Sequence, residues 1–248
     1  MSNMEKLMAA GEKCGIAIDE KQSRLMILYM EKLLVMNEKI NVTRITDVDE
    51  FIEKHLIDSL TCLKFIHKDV KSILDVGTGG GFPGVPLAVM LPEAEITMMD
   101  ATGKKLKVIE DICREIGIKN VEFLHGRAED LGKDPAYREG YDCIVSRAVA
   151  NLCLLSELCL PLAKKGGQFI ALKGKNYLEE MDEGEKAIKV LGGKITGIES
   201  CLLLQSDLVH VIILVDKVKK HRRSFQDPLV KSKRNLFRDK MFHVKHII

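Results

Sequence analysis

The chain has 248 residues, 46% of them hydrophobic and 30% charged, a globular balance suited to one large domain or a domain with an extension. No apolar run approaches the roughly 20 residues of a membrane span, and MSNMEKLMAAGEKCG at the N-terminus has acids and no apolar h-region, so a signal peptide is not expected. The net charge of +2 is unevenly spread: from Lys217 onward there are eleven Lys/Arg and two acids, a basic tail on an acidic body that suits a polyanion and equally a solvated terminus.

Residues 1–66 read as a helical extension. Asp19 and Gln22 have capping-box spacing, and Leu25, Leu28, Tyr29, Lys32, Leu33 and Met36 follow at helical intervals. After a polar connector, MNEKINVTRI, Asp47 and Glu50 open another helix with Phe51, Ile52, His55, Leu56, Ser59 and Leu60 along one face. From Lys71 strands and helices alternate. SILDV is a buried strand, a glycine run follows, and Pro83 and Pro86 fit the first turn of a helix. EITMMD is a strand, and KKLKVIEDICREIG a helix ending at Gly117. VEFLH and YDCIVSR are strands, NLCLLSELCLPLA an apolar helix. The turn Lys165-Gly166-Gly167 leads into the strand GQFIALKG, and LEEMDEGEKAIKVLG is a helix. KITGIESCLLL and LVHVIILVDKV, joined by Gln205-Ser206-Asp207, close the body as an antiparallel pair. This alternation predicts an α/β fold with a mostly parallel sheet covered on both faces, in residues 67–217, followed by the basic tail 218–248. The seven cysteines are odd in number and include no CxxC pair, so neither a disulfide framework nor a metal site is expected and a reducing cytoplasm fits.

ILDVGTGGGFPG, residues 73–84, holds the chemical question. Five glycines in eight positions cost backbone entropy, which a ligand lying on bare backbone would justify. A P-loop needs GK[ST], and Phe-Pro stands there instead. Gly79, Gly81 and Gly84 match a dinucleotide pattern formally, but Pro83 interrupts it. Asp75, Gly77, Gly79 and Gly81 fit an S-adenosylmethionine site in register: an acid for the ammonium, then glycines for close approach. Asp100 ends the second strand, where an acid can accept ribose hydroxyls or cap the following helix. Ala128 and Glu129 follow the third strand, where backbone and carboxylate can meet an adenine edge or Glu129 can serve the helix dipole.

LDVGTGGGFPGVPLA, HGRAED, YDCIVSRAVANL and ALKG, with NEKINVTRITDVDEFIEKHLIDSL upstream, resemble the ribosomal small-subunit methyltransferase G family, also called the glucose-inhibited division protein B family, over roughly residues 20–215. The resemblance implies a class I, Rossmann-like methyltransferase fold of seven strands with the last two antiparallel. It further implies transfer of a methyl group from S-adenosylmethionine to N7 of a guanine in 16S rRNA, near the decoding site. Carried over by position, Gly77, Phe82, Ala128, Glu129 and Arg147 would contact the cofactor, beside Gly79 and Asp100. The end of the chain keeps the family's basic charge without its Arg-x-Gly-x-Pro-like pattern.

A ring nitrogen with a free lone pair needs no general base, so no catalytic residue is expected and the enzyme's contribution is alignment. Candidate substrate contacts are Asn41, Thr43, Arg44, His55, Asp58, Ser59, Arg147 and Lys173. Of these, His55 and Ser59 lie one helical turn apart, and Lys173 leaves the fifth strand where it could meet phosphate. The expected partner is the small ribosomal subunit, approached by a monomer. Rival readings are a small-molecule methyltransferase, an rRNA-binding assembly factor without turnover, and a nicotinamide-dependent oxidoreductase.

Overall fold

The structure is a computed structural model that describes residues 1–147, 149–202 and 209–220. The turn expected at 205–207 and most of the basic tail, from residue 221 on, lie outside the described residues.

The expected strands form one seven-stranded sheet in the order β3-β2-β1-β4-β5-β7-β6. Their bounds are β1 Ser72–Val76, β2 Glu95–Asp100, β3 Val121–His125, β4 Tyr141–Arg147, β5 Ala163–Lys173, β6 Gly193–Leu202 and β7 Val209–Lys217. β1 to β5 pair in parallel, and β7 runs antiparallel to both β5 and β6. This is the arrangement that the resemblance implies, with β7 the reversed strand. β1 buries four of its five residues and β4 the central four of its seven, as inner strands covered on both faces do.

The approach to β5 differs from expectation: α8 stops at Cys159, and the strand already begins at Ala163. Lys165-Gly166-Gly167 does not precede β5 but lies within it. The partner of Tyr141 is Ala163 and that of Cys143 is Gln168, so the extra residues are taken up as an irregularity in the strand. Gly166, at φ 87°, supplies the left-handed conformation that this detour needs.

Helices α1 Asn3–Lys13 and α2 Glu20–Ile40 begin with complete capping boxes, Ser2 with Glu5 and Asp19 with Gln22. The next helix is continuous but not uniform: α3 Val48–Phe51 passes into a π-helical segment, Ile52–Ile57, and then α4 Asp58–Leu60. The expected single face is therefore too narrow, since Glu53, Ile57 and Asp58 are buried as well. α5 Gly84–Met90 and α6 Gly103–Ile116 follow β1 and β2, and α6 ends on the left-handed Gly117. α7 Ala128–Leu131, α8 Leu152–Cys159 and α9 Leu178–Val190 complete the set described here.

Two cores flank the sheet. One joins Leu7, Met26, Met30, Leu33, Phe51 and Leu56 of the N-terminal helices to Val85, Ile109, Ile96 and Val145. The other joins α8 and α9, through Leu155 and Ile188, to Leu74, Ile144, Phe169 and Ile213. The first 66 residues thus share the apolar interior of the sheet, where burial stabilises both at about 25 cal/mol per Å².

Candidate functional site

The site is built at the carboxyl ends of β1, β2 and β4, where parallel sheets place ligands. Gly77 and Thr78 both donate their N–H groups to Met99 O, which pins the start of the glycine loop to β2. Gly77, Gly79 and Gly81 all have positive φ, at 76°, 58° and 85°. Their surroundings differ. A Cβ on Gly81 would collide with the Tyr29 hydroxyl and lie 2.9 Å from Val85 Cγ2, whereas one on Gly79 would, among the described residues, meet only Gly77 O at 3.9 Å. Gly81 is glycine for the protein's own packing, and Gly79 opens onto space that a ligand can use. A Cβ on Gly77 would lie 2.5 Å from Cγ2 of Val149, which sits over the loop.

Two carboxylates border the loop. Asp75 is fully buried. Its Oδ2 accepts from Thr78 Oγ1 at 2.6 Å and from Gly84 N at 2.9 Å, while Oδ1 has no hydrogen-bond partner among the described residues. Burial pushes its pKa up from 3.8 to about 6, against the pull of those two donors and of Arg147. Asp100 accepts from Gly79 N at 3.0 Å through Oδ2 and from Thr102 N at 2.8 Å through Oδ1. The bond to Gly79 ties Asp100 to the loop, and the expected helix cap is not formed by it, because Thr102 is the N-cap of α6. Bare left-handed backbone flanked by an under-satisfied acid and a second acid fits the donor's ammonium, sugar and close-lying chain. Ala128 is buried and Glu129 half-buried at the start of α7, with Arg127 Nη1 3.7 Å from Glu129 Oε1.

Phe82, immediately after the glycines, is 3% exposed. Tyr29 and Phe51 meet it edge-on at 6.0 and 5.5 Å between centroids. The His55 ring stacks on it at 4.5 Å and 4°, and the Arg147 guanidinium lies 5.4 Å from its centroid. Tyr29 also donates to Gly80 O at 2.8 Å, so α2 holds the loop directly.

Arg147 ends β4 and is gripped by the π-helical region. Nη1 donates to Lys54 O at 2.9 Å and to Asp58 Oδ2 at 2.8 Å, and Nη2 donates to His55 Nδ1 at 3.1 Å. Arginine can only donate, so Nδ1 of His55 is the acceptor and Nε2 carries the proton. Nε2–H then donates to Thr43 Oγ1 at 2.7 Å. Burial first and the Arg147 charge second push the His55 pKa down from 6.5 to about 3, which keeps the ring neutral. Asp58 is 1% exposed, and its other oxygen, Oδ1, lies 2.6 Å from His210 Nδ1. Burial alone would raise the Asp58 pKa, but His210 and Arg147 together hold it below its ordinary value.

The structure brings Thr43, His55, Asp58 and Arg147 into one hydrogen-bonded chain beside Phe82 and the glycines. Ser59 is buried and its hydroxyl donates to its own helix, at His55 O, 2.5 Å away. Asn41 and Arg44 are exposed on the connector. Lys173 stands apart: it is 8% exposed, donates to Ala150 O at 2.7 Å and pairs with Glu180 at 2.6 Å.

Sequence reasoning missed His210, Asn37 and the role of Tyr29. Asn37, read as connector, is helical and buried; its Oδ1 accepts from Val42 N and Thr43 N at 2.6 and 2.8 Å, and its Nδ2 donates to Thr43 O at 2.9 Å. No local signal marks Tyr29 or His210, because Tyr29 finds its partner 51 residues away and His210 finds Asp58 152 residues away.

Residues 22–209 match the family model described as rRNA small subunit methyltransferase G. Ribosomal RNA small subunit methyltransferase G of Clostridium novyi is 44% identical over 214 residues, covering 86% of this chain and 88% of the relative. Its counterpart in Clostridium tetani is 42% identical over 220 residues, covering 88% and 92%. Among solved structures, the YcgJ protein from Bacillus subtilis superposes with a TM-score of 0.51 at 16% identity, over 68% of this chain and all of that one. TrmN from Thermus thermophilus gives 0.51 at 18%, over 64% of this chain and 48% of that one. At such identities these two structures speak to the fold.

Proposed function

The chain belongs to the rRNA small subunit methyltransferase G family, and from that premise we propose that it transfers the methyl group of S-adenosylmethionine to N7 of a guanine in 16S rRNA, near the decoding site. The observation that carries the donor reading is the open backbone of Gly79, set in the left-handed region between the carboxylates of Asp75 and Asp100. Bound there, S-adenosylmethionine supplies a methyl carbon on a cationic sulfur that a nitrogen lone pair can attack.

The chain's own residues bind and align. Asp75 Oδ1, buried without a partner among the described residues, suits an ammonium group. Asp100 keeps lone pairs for ribose hydroxyls while holding Gly79 N–H. Ala128 and Glu129 serve the adenine edge, and Phe82 backs the glycines with its aromatic neighbours. Arg147 spends both Nη1 protons and one Nη2 proton on Lys54, Asp58 and His55. Among the described residues this leaves Nε–H and one Nη2–H for a carboxylate or phosphate. Its charge is matched by Asp58, so it acts as an oriented donor pair.

No side chain has to remove a proton, because guanine N7 carries none. The neutral, doubly hydrogen-bonded His55 is built to hold a shape. Thr43, with its oxygen accepting from His55 and from Ile45 N, has its hydroxyl proton left to offer. Asn41 and Arg44 lie exposed on the loop that Asn37 braces, and are assigned to the RNA side. The basic tail 218–248 adds long-range attraction, and the protein works as a cytoplasmic monomer. Comparing nucleosides of 16S rRNA with and without this gene tests the reading. Loss of 7-methylguanosine is expected, and an unchanged amount overturns it.

A further inference from the structure

We propose that His210 is a positioning residue for methyl transfer: by fixing Asp58 it fixes the guanidinium of Arg147 at the mouth of the site. The inference rests on the reading of Arg147 as a site residue.

β7 is the strand inserted in reverse between β5 and β6, and this insertion brings His210 to the N-terminal helices. Asp58 uses its oxygens separately, Oδ2 on Arg147 and Oδ1 on His210. Held through Oδ2 alone, a carboxylate can rotate about its last torsion, which is broad for such terminal groups. A second anchor from another element fixes the plane of the carboxylate, and the plane sets where Oδ2 lies. Asp58 accepts only, so His210 Nδ1 carries the proton that it shares.

Removing His210 strips Oδ1 of its partner in a setting where Asp58 is 1% exposed. The carboxylate then does best by turning both oxygens to Arg147, since arginine–carboxylate pairs favour the bidentate form. That movement draws Nη2 from His55 Nδ1 and the guanidinium from the Phe82 face. Arg147 would be displaced, although no residue touching the donor had changed.

The test uses the purified full chain, S-adenosylmethionine labelled in its methyl group, and small subunits from a strain lacking this enzyme. His210→Ala should lower kcat by about tenfold to a hundredfold, the scale of a displacement near 1 Å. His210→Asn places an amide N–H where Nδ1 was and should restore the rate to within about threefold. His210→Gln carries its amide to the Nε2 position and should behave like alanine. Wild-type rates for both Ala and Gln, with Arg147→Ala inactive, overturn the role of His210 and leave Arg147 in place. Full activity in Arg147→Ala overturns the premise and the proposal together. If the alanine variant does not fold, the Asn and Gln variants decide, and equal activity in the two refutes the proposal.

Discussion

The buried carboxylate of Asp75 can be tested by replacing it with asparagine and following stability with pH. Its pKa rises from 3.8 to about 6 in the fold, chiefly through burial. At about 1.4 kcal/mol per pKa unit, ionising it in place costs roughly 3 kcal/mol. The sign follows from proton uptake. Between pH 4 and 6 the native state holds this proton more tightly than the unfolded chain, so this group's contribution is greatest at low pH and is lost as pH rises through about 6. His55 acts oppositely: its folded pKa is depressed to about 3, so its contribution is present above its ordinary 6.5 and is lost as pH falls. The wild-type curve alone mixes the two, and the difference between wild type and Asp75→Asn isolates the carboxylate. Urea unfolding from pH 4 to 7.5 should show that difference move by about 3 kcal/mol in favour of the variant as pH rises. Asparagine can still accept from Thr78 and Gly84, and its amide nitrogen replaces Oδ1, a pH-independent offset of about 1–3 kcal/mol. Parallel curves would refute the argument that Asp75 is ionised against its surroundings at neutral pH. The same variant should bind S-adenosylmethionine at least about tenfold more weakly by calorimetry, since a carboxylate–ammonium contact is lost.

The two inner glycines should separate packing from ligand space. Gly79→Ala should cost only about 1–2 kcal/mol for its left-handed backbone, measured by urea unfolding, yet reduce donor binding in calorimetry by more than about tenfold. Gly81→Ala meets the Tyr29 hydroxyl and Val85, and should cost over about 2 kcal/mol in the same unfolding assay. Tyr29→Phe leaves Gly80 O without its partner and should destabilise by about 1–3 kcal/mol; wild-type stability would show that the hydroxyl does not hold the loop. Lys173→Ala should lower stability by about 1–3 kcal/mol in urea, because its ammonium is spent on Ala150 O and Glu180.

The elements that could be read in the sequence are those whose determinants are local. Asp19 and Gln22 announce α2, Gly117 stops α6, and the apolar runs of β1 and β4 announce inner strands. The glycine loop was legible for the same reason, since its glycines, Asp75 and Asp100 lie in register with the ends of β1 and β2. What stayed hidden depends on distant partners or on side chains that bond back to nearby backbone. A 3.6-residue period places Ser59 and His55 on one face, but it does not reveal that the Ser59 hydroxyl bonds back to its own helix at His55 O while Asp58 reaches Arg147 on another element. Asn37 looks like loop polarity until its side chain is seen closing the turn at Val42 and Thr43. Ser2 and Glu5 carried a capping-box signal for α1 that was there to be read. Lys173 reads as a strand-end phosphate contact because nothing nearby in the chain reveals Glu180 as its mate.

The Tyr29–Gly80 contact has a practical corollary for anyone trimming this protein. A fragment starting at the first strand would keep all seven strands yet lose the side chain that buttresses the glycine bend, along with half of one apolar interior. Its grip on the methyl donor would fail before its sheet did, so the shortest useful truncation has to begin upstream of Asp19.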